Sequence, residues 1–259
     1  MDLRIACFQM NILWHLPNEN LKKIINFLSK FNQDIDIFIL PEMFTTGFTK
    51  ENYLFDDHYK EVIFELKKLA KEKNNLIVGS IIYNENHKYF NRLYAFFPDG
   101  GYQFYDKRHL FTMAKEDQFY EPGQNKIIIE YKNWKILPLI CFDLRFPVWS
   151  RNLLKENKGY DLAIYVANWP KARVEHWSTL LKARAIENQC YVVGCNRVGV
   201  DGYQIEYNGA SAIYDFEGKT LAYSENQETI LFASLSYENL LNYRKNFPAY
   251  LSADNFNFI

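Results

Sequence analysis

The sequence predicts an α/β fold in one domain, with helices covering a mixed sheet or a pair of sheets. Strand-like and helix-like segments alternate from Leu3 to Tyr83, and hairpin turn signals follow in the middle of the chain. No Pro/Gly/Ser-rich linker, repeat or low-complexity segment divides the sequence. Each helix must bury one apolar stripe, and a two-sheet sandwich with the helices outside achieves this.

The first third of the chain shows the clearest periodicity. Strands are predicted from Leu3 to Gln9, Ile35 to Leu40 and Leu76 to Tyr83. Apolar residues at helical spacing predict a helix after each of the first two strands, and Asn18, after Pro17, is the expected N-cap of the first helix. These helix-forming apolar and aromatic positions are Leu21, Ile24, Ile25, Leu28 and Phe31, then Tyr59, Val62, Ile63, Leu66, Leu69 and Ala70.

The rest of the sequence, after the first third, predicts mostly strands. Pro98-Asp99-Gly100-Gly101 and Lys132-Asn133 are the two hairpin turn signals. Helices are predicted over residues 148–154 and 174–185, with a last short helix starting near residue 237. The predicted strands cover residues 89–97, 102–105, 127–131, 134–141, 161–167, 191–196, 210–216, 219–223 and 230–235.

Composition limits the class of function. The 259 residues are 48 % hydrophobic and 17 % aromatic, which suits a packed core, and 30 basic against 31 acidic residues give a net charge of −1. Without a basic stripe, no nucleic-acid partner is expected. The sequence also predicts no secretion signal, no membrane span, no cofactor and no metal site. Four cysteines without disulfide or metal-ligand spacing indicate a reduced, cytoplasmic setting.

Three polar residues stand where strands are predicted to end. Glu42 follows an apolar strand and Pro41, Lys107 closes the strand-like segment 102–105, and Cys141 ends the strand that starts at residue 134. A thiol needs a nearby base or positive charge to react as a nucleophile. Each residue also has a non-catalytic interpretation. Cys141 could be a small buried side chain, Glu42 a solvated cap and Lys107 an exposed basic residue.

The histidines offer no competing site. None has metal-ligand spacing or a recognisable Ser/His/Asp or Cys/His arrangement, so His109 and His176 are interpreted as structural or supporting residues.

Three sequence blocks carry a family resemblance. Leu40 to Phe44, Tyr105 to Leu110 and Cys141 to Pro147 resemble, in order, the signature blocks of the nitrilase (carbon–nitrogen hydrolase) superfamily. The resemblance extends over nearly the whole chain and is greatest to the bacterial amidases of the ω-amidase branch, which hydrolyse 2-oxoglutaramate. It implies an α-β-β-α sandwich forming one domain over residues 1–259. Phe142 departs from the Tyr of many relatives, at a position where only the backbone N–H is expected to act.

The resemblance also implies catalytic roles. Glu42 would be the general base, Cys141 the nucleophile that forms a thioester, and Lys107 with the backbone N–H of Phe142 the donors to the oxyanion. Glu116 matches a second glutamate that orients the lysine and holds the substrate amide. The alternative for Glu116 is a surface acid in a charged loop, and neighbouring Asp117 leaves the register open.

The expected substrate is a small ω-amide that carries a distal carboxylate. Arg145 and Arg173 are the candidate cations for that carboxylate, although Arg145 could equally form a structural salt bridge. Residues expected to wall the pocket are Phe44, Trp169 and His176. The alternatives are another amidase or N-carbamoyl amidohydrolase, a true nitrilase, and a catalytically silent binding or scaffold protein.

The resemblance further implies a homodimer. The C-terminal tail, about residues 240–259, contains aromatic residues that could reach across such an interface or cover the core of their own subunit. These residues are Tyr243, Phe247, Tyr250, Phe256 and Phe258.

Overall fold

The strands form two sheets in a computed structural model that describes residues 2–31, 33–156 and 159–254. The six-stranded first sheet has the order β13-β1-β2-β3-β4-β5, and the second has the order β10-β11-β9-β8-β7-β6 with β12 beside β11. An α-helix connects three of the parallel pairs, β1/β2, β2/β3 and β8/β9, whereas short 3-10 turns lie between the parallel strands β7 and β8. The strands of the first sheet are β1 Leu3–Gln9, β2 Ile37–Ile39, β3 Leu76–Glu85, β4 Lys88–Phe96, β5 Tyr102–Asp106 and β13 Thr229–Leu235.

The second sheet and the helices complete the sandwich. The helices are α1 Pro17–Lys30, α2 His58–Lys73, α3 Val174–Asn188 and α4 Tyr237–Asn246. The strands of the second sheet are β6 Ile129–Tyr131, β7 Trp134–Ile140, β8 Leu162–Ala167, β9 Tyr191–Asn196, β10 Val198–Val200, β11 Glu206–Tyr214 and β12 Thr220–Glu225.

The period of two along β1 explains why the first sheet is buried on both faces. Leu3, Ile5 and Cys7 belong to the core between the two sheets. Ala6 and Phe8 belong to a second core shared with α1 and α2. Because successive side chains of a strand point to opposite faces, a continuous apolar run supplies both cores.

Helix α3 packs closely on the second sheet. Trp177, Leu181 and Ala185 recur every four residues and are fully buried. A Cβ atom at Gly194 on β9 would lie 2.3 Å from Leu181 Cδ1. The absence of a side chain at Gly194 therefore sets how near the helix approaches the sheet.

The predicted fold class is confirmed: two facing sheets carry helices on their outer surfaces. None of the helices in the described ranges is long and apolar enough to cross a membrane. Most predicted strands and helices are present with bounds shifted by a few residues, while the short strand β10 was not predicted.

Two local predictions are wrong. Asn18 is not the N-cap of α1: Leu16 takes that position, and Pro17 starts the helix because its fixed φ suits the first helical residue. The segment 148–154 does not form an α-helix, and only a short 3-10 turn begins at its last residue, Leu154. There Asn188 supplies partners instead, its side chain accepting from the Asn152 backbone N–H and its backbone carbonyl accepting from the Asn152 side chain.

Candidate active site

The predicted catalytic residues follow the ends of strands that run in the same direction. Strands β1, β2 and β3 are parallel, and β5 regains their direction because β4 is antiparallel to both β3 and β5. Glu42 follows β2, and Lys107 follows β5 directly. Cys141 follows β7 of the second sheet, and Asn168 follows the parallel neighbour β8. The site therefore forms where the two sheets meet at the carboxyl ends of these strands.

Lys107 lies between two buried carboxylates. Its Nζ atom is 3.0 Å from Glu42 Oε1 and 3.0 Å from each carboxylate oxygen of Glu116. All three side chains are almost completely buried. The Phe111 backbone N–H donates a further bond of 2.6 Å to Glu116 Oε2. A buried ammonium requires this degree of pairing, and the geometry excludes a surface position for Glu116.

Lys107, Asn91 and Asn168 orient the carboxylate of Glu42. Its Oε1 atom accepts from Asn91 Nδ2 at 2.7 Å as well as from Lys107. Its Oε2 atom accepts from the backbone N–H of Asn168 at 2.6 Å. Asn91 is itself fixed by Ser80, whose hydroxyl donates to Asn91 Oδ1 at 2.9 Å. The carboxylate is therefore held by bonds from both sheets before a substrate arrives.

The electrostatic environment keeps the lysine charged and the thiol neutral. Burial would lower the pKa of Lys107, but Glu116 and Glu42 attract the ammonium and raise it above its ordinary value. Burial raises the pKa of the Cys141 thiol well above its usual range, Glu42 raises it further, and Lys107 opposes the shift. Burial also raises the pKa of Glu116, against the opposing attraction of Lys107. Burial and the nearby Glu42 carboxylate therefore favour the protonated thiol of Cys141.

Asp143 fixes the sharp turn that carries Cys141, the predicted nucleophile. Cys141 has φ of +44°, a left-handed conformation that is costly for a residue with a side chain. The buried carboxylate of Asp143 accepts from the Ile140 backbone N–H at 3.0 Å and from the Tyr105 hydroxyl at 2.9 Å. Its other oxygen accepts from the backbone N–H of His109 at 3.0 Å and contacts the ring Nδ1 at 2.8 Å. His109 is thus a structural support, as the sequence indicated.

Comparison with known proteins identifies the family. The model of the carbon–nitrogen hydrolase family matches residues 4–245. The chain belongs to the carbon–nitrogen hydrolase family. Among solved structures, a CN-hydrolase superfamily protein from Xanthomonas campestris with an arsenic adduct in its active site is 40 % identical. The match covers 100 % of both chains with a TM-score of 0.96.

Two curated relatives narrow the likeness within the family. Omega-amidase YafV of Escherichia coli is 44 % identical over 98 % of this chain and 98 % of its own. A 2-oxoglutaramate amidase of Bacillus subtilis is 34 % identical over 96 % of this chain and 97 % of its own. The predicted family and ω-amidase resemblance are therefore confirmed, and family and relatives together support a hydrolase that acts on amides.

A cavity of about 530 Å³, including space open to solvent, is lined by Glu42, Lys107 and Cys141, whereas Glu116, the fourth predicted catalytic residue, does not line it. Its lining includes four further residues that the sequence proposed for substrate binding: Phe142, Arg145, Trp169 and Arg173. The same cavity is lined by residues to which the sequence assigned no role, including Phe48, Phe111, Asn168, Ile205 and Tyr207.

Two predicted pocket residues do not line this cavity. Phe44 is fully buried in the core shared with α1 and α2, because the turn after β2 directs it away from the site. His176 is exposed, and its Nδ1 atom lies 2.9 Å from Arg145 Nη2. His176 therefore positions a cavity residue instead of forming the wall.

Arg145 and Arg173 place two cations beside the cavity. Burial lowers the pKa of Arg145, and repulsion from Arg173 lowers it further. The Arg145 guanidinium lies 4.9 Å from the Trp169 ring, and that of Arg173 lies 5.3 Å from the Phe111 ring. Within the described ranges, neither arginine forms an ion pair with a carboxylate. The structural salt bridge considered for Arg145 is therefore not observed there.

Asn91 and Asn168 are the main residues that sequence reasoning missed. Asn168 follows a buried strand in the same way as Cys141, and that position was the available signal. Asn91 lies inside β4, where nothing in the local pattern distinguishes it. The described residues contain no group of three His, Cys, Asp or Glu side chains that could hold a metal ion.

Proposed function

We propose that this carbon–nitrogen hydrolase is an ω-amidase that converts 2-oxoglutaramate to 2-oxoglutarate and ammonia through a thioester on Cys141. The observation that supports the chemistry best is the convergence of Glu42, Lys107 and Cys141 at one cavity. Glu116 holds Lys107 by two bonds of 3.0 Å. These residues supply a nucleophile, a base and a fixed positive charge.

In the first step, Glu42 takes the thiol proton of Cys141 as sulfur attacks the amide carbon. A thiol that is protonated before the reaction suits this step, because proton transfer to Glu42 and attack by sulfur can then occur together. The oxygen of the amide becomes an oxyanion, and Lys107 and the backbone N–H of Phe142 stabilise it. Loss of one such donor typically costs about 100- to 1000-fold in rate.

Collapse of the tetrahedral intermediate breaks the C–N bond. Its electron pair leaves with nitrogen, which receives the proton held by Glu42 and departs as ammonia. Glu42 then activates a water molecule that attacks the thioester. The carboxylic acid is released and Cys141 recovers its proton, which completes the cycle.

The arginine pair supports an amide that carries a distal carboxylate. Two guanidinium groups without carboxylate partners in the described chain can bind a carboxylate of the substrate through charge-assisted hydrogen bonds. The names of two relatives, an omega-amidase and a 2-oxoglutaramate amidase, point to the same substrate class. Trp169 adds an apolar wall for the short carbon chain.

Steady-state kinetics test this proposal. We expect ammonia release from 2-oxoglutaramate to exceed that from N-carbamoyl amines and nitriles, with smaller rates on other ω-amides such as succinamate. Cys141→Ala should abolish turnover, and mass spectrometry of the quenched wild type should detect an acyl adduct on Cys141. Normal ammonia release from the Cys141→Ala variant would contradict the mechanism.

Preference for a carbamoyl amine would support the N-carbamoyl amidohydrolase alternative, and the absence of any adduct or turnover would support a silent binding protein.

We also propose a cytoplasmic homodimer. All four cysteines are free, which suits a reducing compartment. In the C-terminal segment Leu241, Phe247 and Leu251 are exposed, whereas Tyr243 packs on Phe216 of its own subunit with ring centroids 4.8 Å apart. Phe256 and Phe258 lie outside the described residues. Sizing the protein with and without the residues beyond Phe247 tests whether this tail forms the interface.

A further inference from the structure

One side-chain atom of Asn168 has no hydrogen-bond partner among the residues that the structure describes. Its Nδ2 atom donates to the backbone carbonyl of Glu42 at 2.7 Å. Since a carbonyl oxygen only accepts, this bond fixes which end of the amide faces Glu42. The other end, Oδ1, is buried and accepts no hydrogen bond within the described chain. Buried polar atoms normally have a partner, so an unpartnered acceptor at this position requires an explanation.

The position of Asn168 in the cavity explains why this oxygen lacks a partner. Asn168 is 6 % exposed and lines the same cavity as Glu42 and Cys141. Its backbone N–H holds Glu42 Oε2 at 2.6 Å, so the side chain stands beside the carboxylate that delivers the proton to the leaving nitrogen. The leaving nitrogen of a primary amide carries two N–H donors. The carbonyl oxygen of the substrate takes Lys107 and the Phe142 N–H, but those groups offer nothing to the nitrogen.

We propose that Asn168 Oδ1 accepts a hydrogen bond from the NH₂ group of the scissile amide and from the ammonia that leaves. The inference rests on the proposed function and deepens it, because it gives the site a preference for unsubstituted amides. Asn168 orients one N–H while Glu42 faces the nitrogen lone pair that forms as the C–N bond breaks. Esters present no N–H to Asn168, and N-alkyl amides present one fewer. A site with a buried acceptor discriminates against substrates that leave it unpaired.

A matched pair of variants separates this role from a structural one. Asn91 and Asn168 both donate to Glu42, but Asn91 does not line the cavity. The substrates are succinamate and its methyl ester analogue, monomethyl succinate. We expect Asn168→Ala to lower kcat/KM for the amide at least about tenfold more than for the ester. Asn91→Ala should lower both by the same factor, because it only loosens Glu42.

Equal losses on amide and ester in Asn168→Ala would overturn the inference. Asn168→Ser serves as a second variant if the alanine protein does not fold. A binding measurement needs no turnover: in a Cys141→Ala background, the Asn168 change should weaken binding of succinamate more than binding of monomethyl succinate, and equal weakening again overturns the inference. Failure of the wild type to hydrolyse any ω-amide would instead refute the proposed function, so the two failures are distinguishable.

Discussion

The ammonium nitrogen of Lys107 lies 3.0 Å from both carboxylate oxygens of Glu116, in a site where both side chains are nearly free of solvent. Glu116 comes nine positions after Lys107, and the chain between them contains a short helical turn, Thr112–Ala114. The contact has a consequence for catalysis. A lysine held from two sides cannot follow a moving substrate, so in the proposed mechanism its charge is already in place where the oxyanion forms.

Glu116→Gln should lower kcat and should lower the free energy of unfolding only moderately. The substitution removes one of two countercharges of Lys107 while Glu42 retains the other. We expect a loss of about 1.5–3 kcal/mol in the free energy of unfolding and a larger relative fall in kcat than rise in KM. Chemical denaturation and steady-state kinetics measure these quantities. Lys107→Met is the matched comparison, and it should cost about 3–5 kcal/mol because it leaves two buried carboxylates without a cation. Unchanged kcat in Glu116→Gln would contradict the positioning role.

Asp143→Asn should disturb the nucleophile without touching the cavity wall. All four contacts of the Asp143 carboxylate suit an acceptor, and an amide can accept through only one of its two atoms. We expect about 1–3 kcal/mol of lost stability and a lower kcat, because the strained turn at Cys141 loses its anchor. His109→Ala removes one contact and should have a smaller effect. Thermal unfolding and kcat measurements on both variants would show the order, and a kcat for Asp143→Asn equal to that of wild type would rule out the anchoring role.

Arg145→Ala and Arg173→Ala should raise KM for substrates with a distal carboxylate. Loss of a charge-assisted hydrogen bond predicts an increase of about 10- to 100-fold. A neutral amide of similar length, such as butyramide, should show little change and provides the control. His176→Ala should give a milder version of the Arg145 effect, since His176 contacts Arg145 at 2.9 Å. Equal KM changes for charged and neutral amides would mean that the arginines act through structure alone.

The buried thiol of Cys141 should make stability fall at alkaline pH. Its pKa is raised in the folded protein, so the folded state retains a proton that the unfolded chain releases above the ordinary cysteine pKa of about 8.5. This contribution to stability is complete below that pH and is lost as pH rises toward the folded pKa. Thermal unfolding between pH 7.5 and 10 should therefore show a smaller decline for Cys141→Ser than for wild type. Identical declines would indicate a thiol that is not protected in the folded state. Cys190, whose pKa burial raises to about 12, remains in both proteins and cancels in the comparison.

The layers of the fold and the candidate catalytic residues could be predicted from the sequence alone. Apolar runs with a period of two, helical stripes and turn residues are local signals, so strands and helices could be predicted from neighbouring residues. Lys107 and Cys141 directly follow the ends of strands and Glu42 lies three residues after one, and three blocks in family order made their predicted roles specific. Glu116 was recognisable from the same resemblance, although its position in a charged loop left its burial open.

The surroundings of these residues depend on tertiary packing, which the sequence did not reveal. Asn168 reaches Glu42 across 126 positions of sequence, and Asn91 reaches it across 49. Phe44 lies in the core shared with α1 and α2, whereas Arg145 lines the cavity. Each of them is close in sequence to a predicted catalytic residue. Such outcomes depend on how the two sheets stack and which face each turn presents. That arrangement is fixed by packing over the whole domain, and no local pattern contains it.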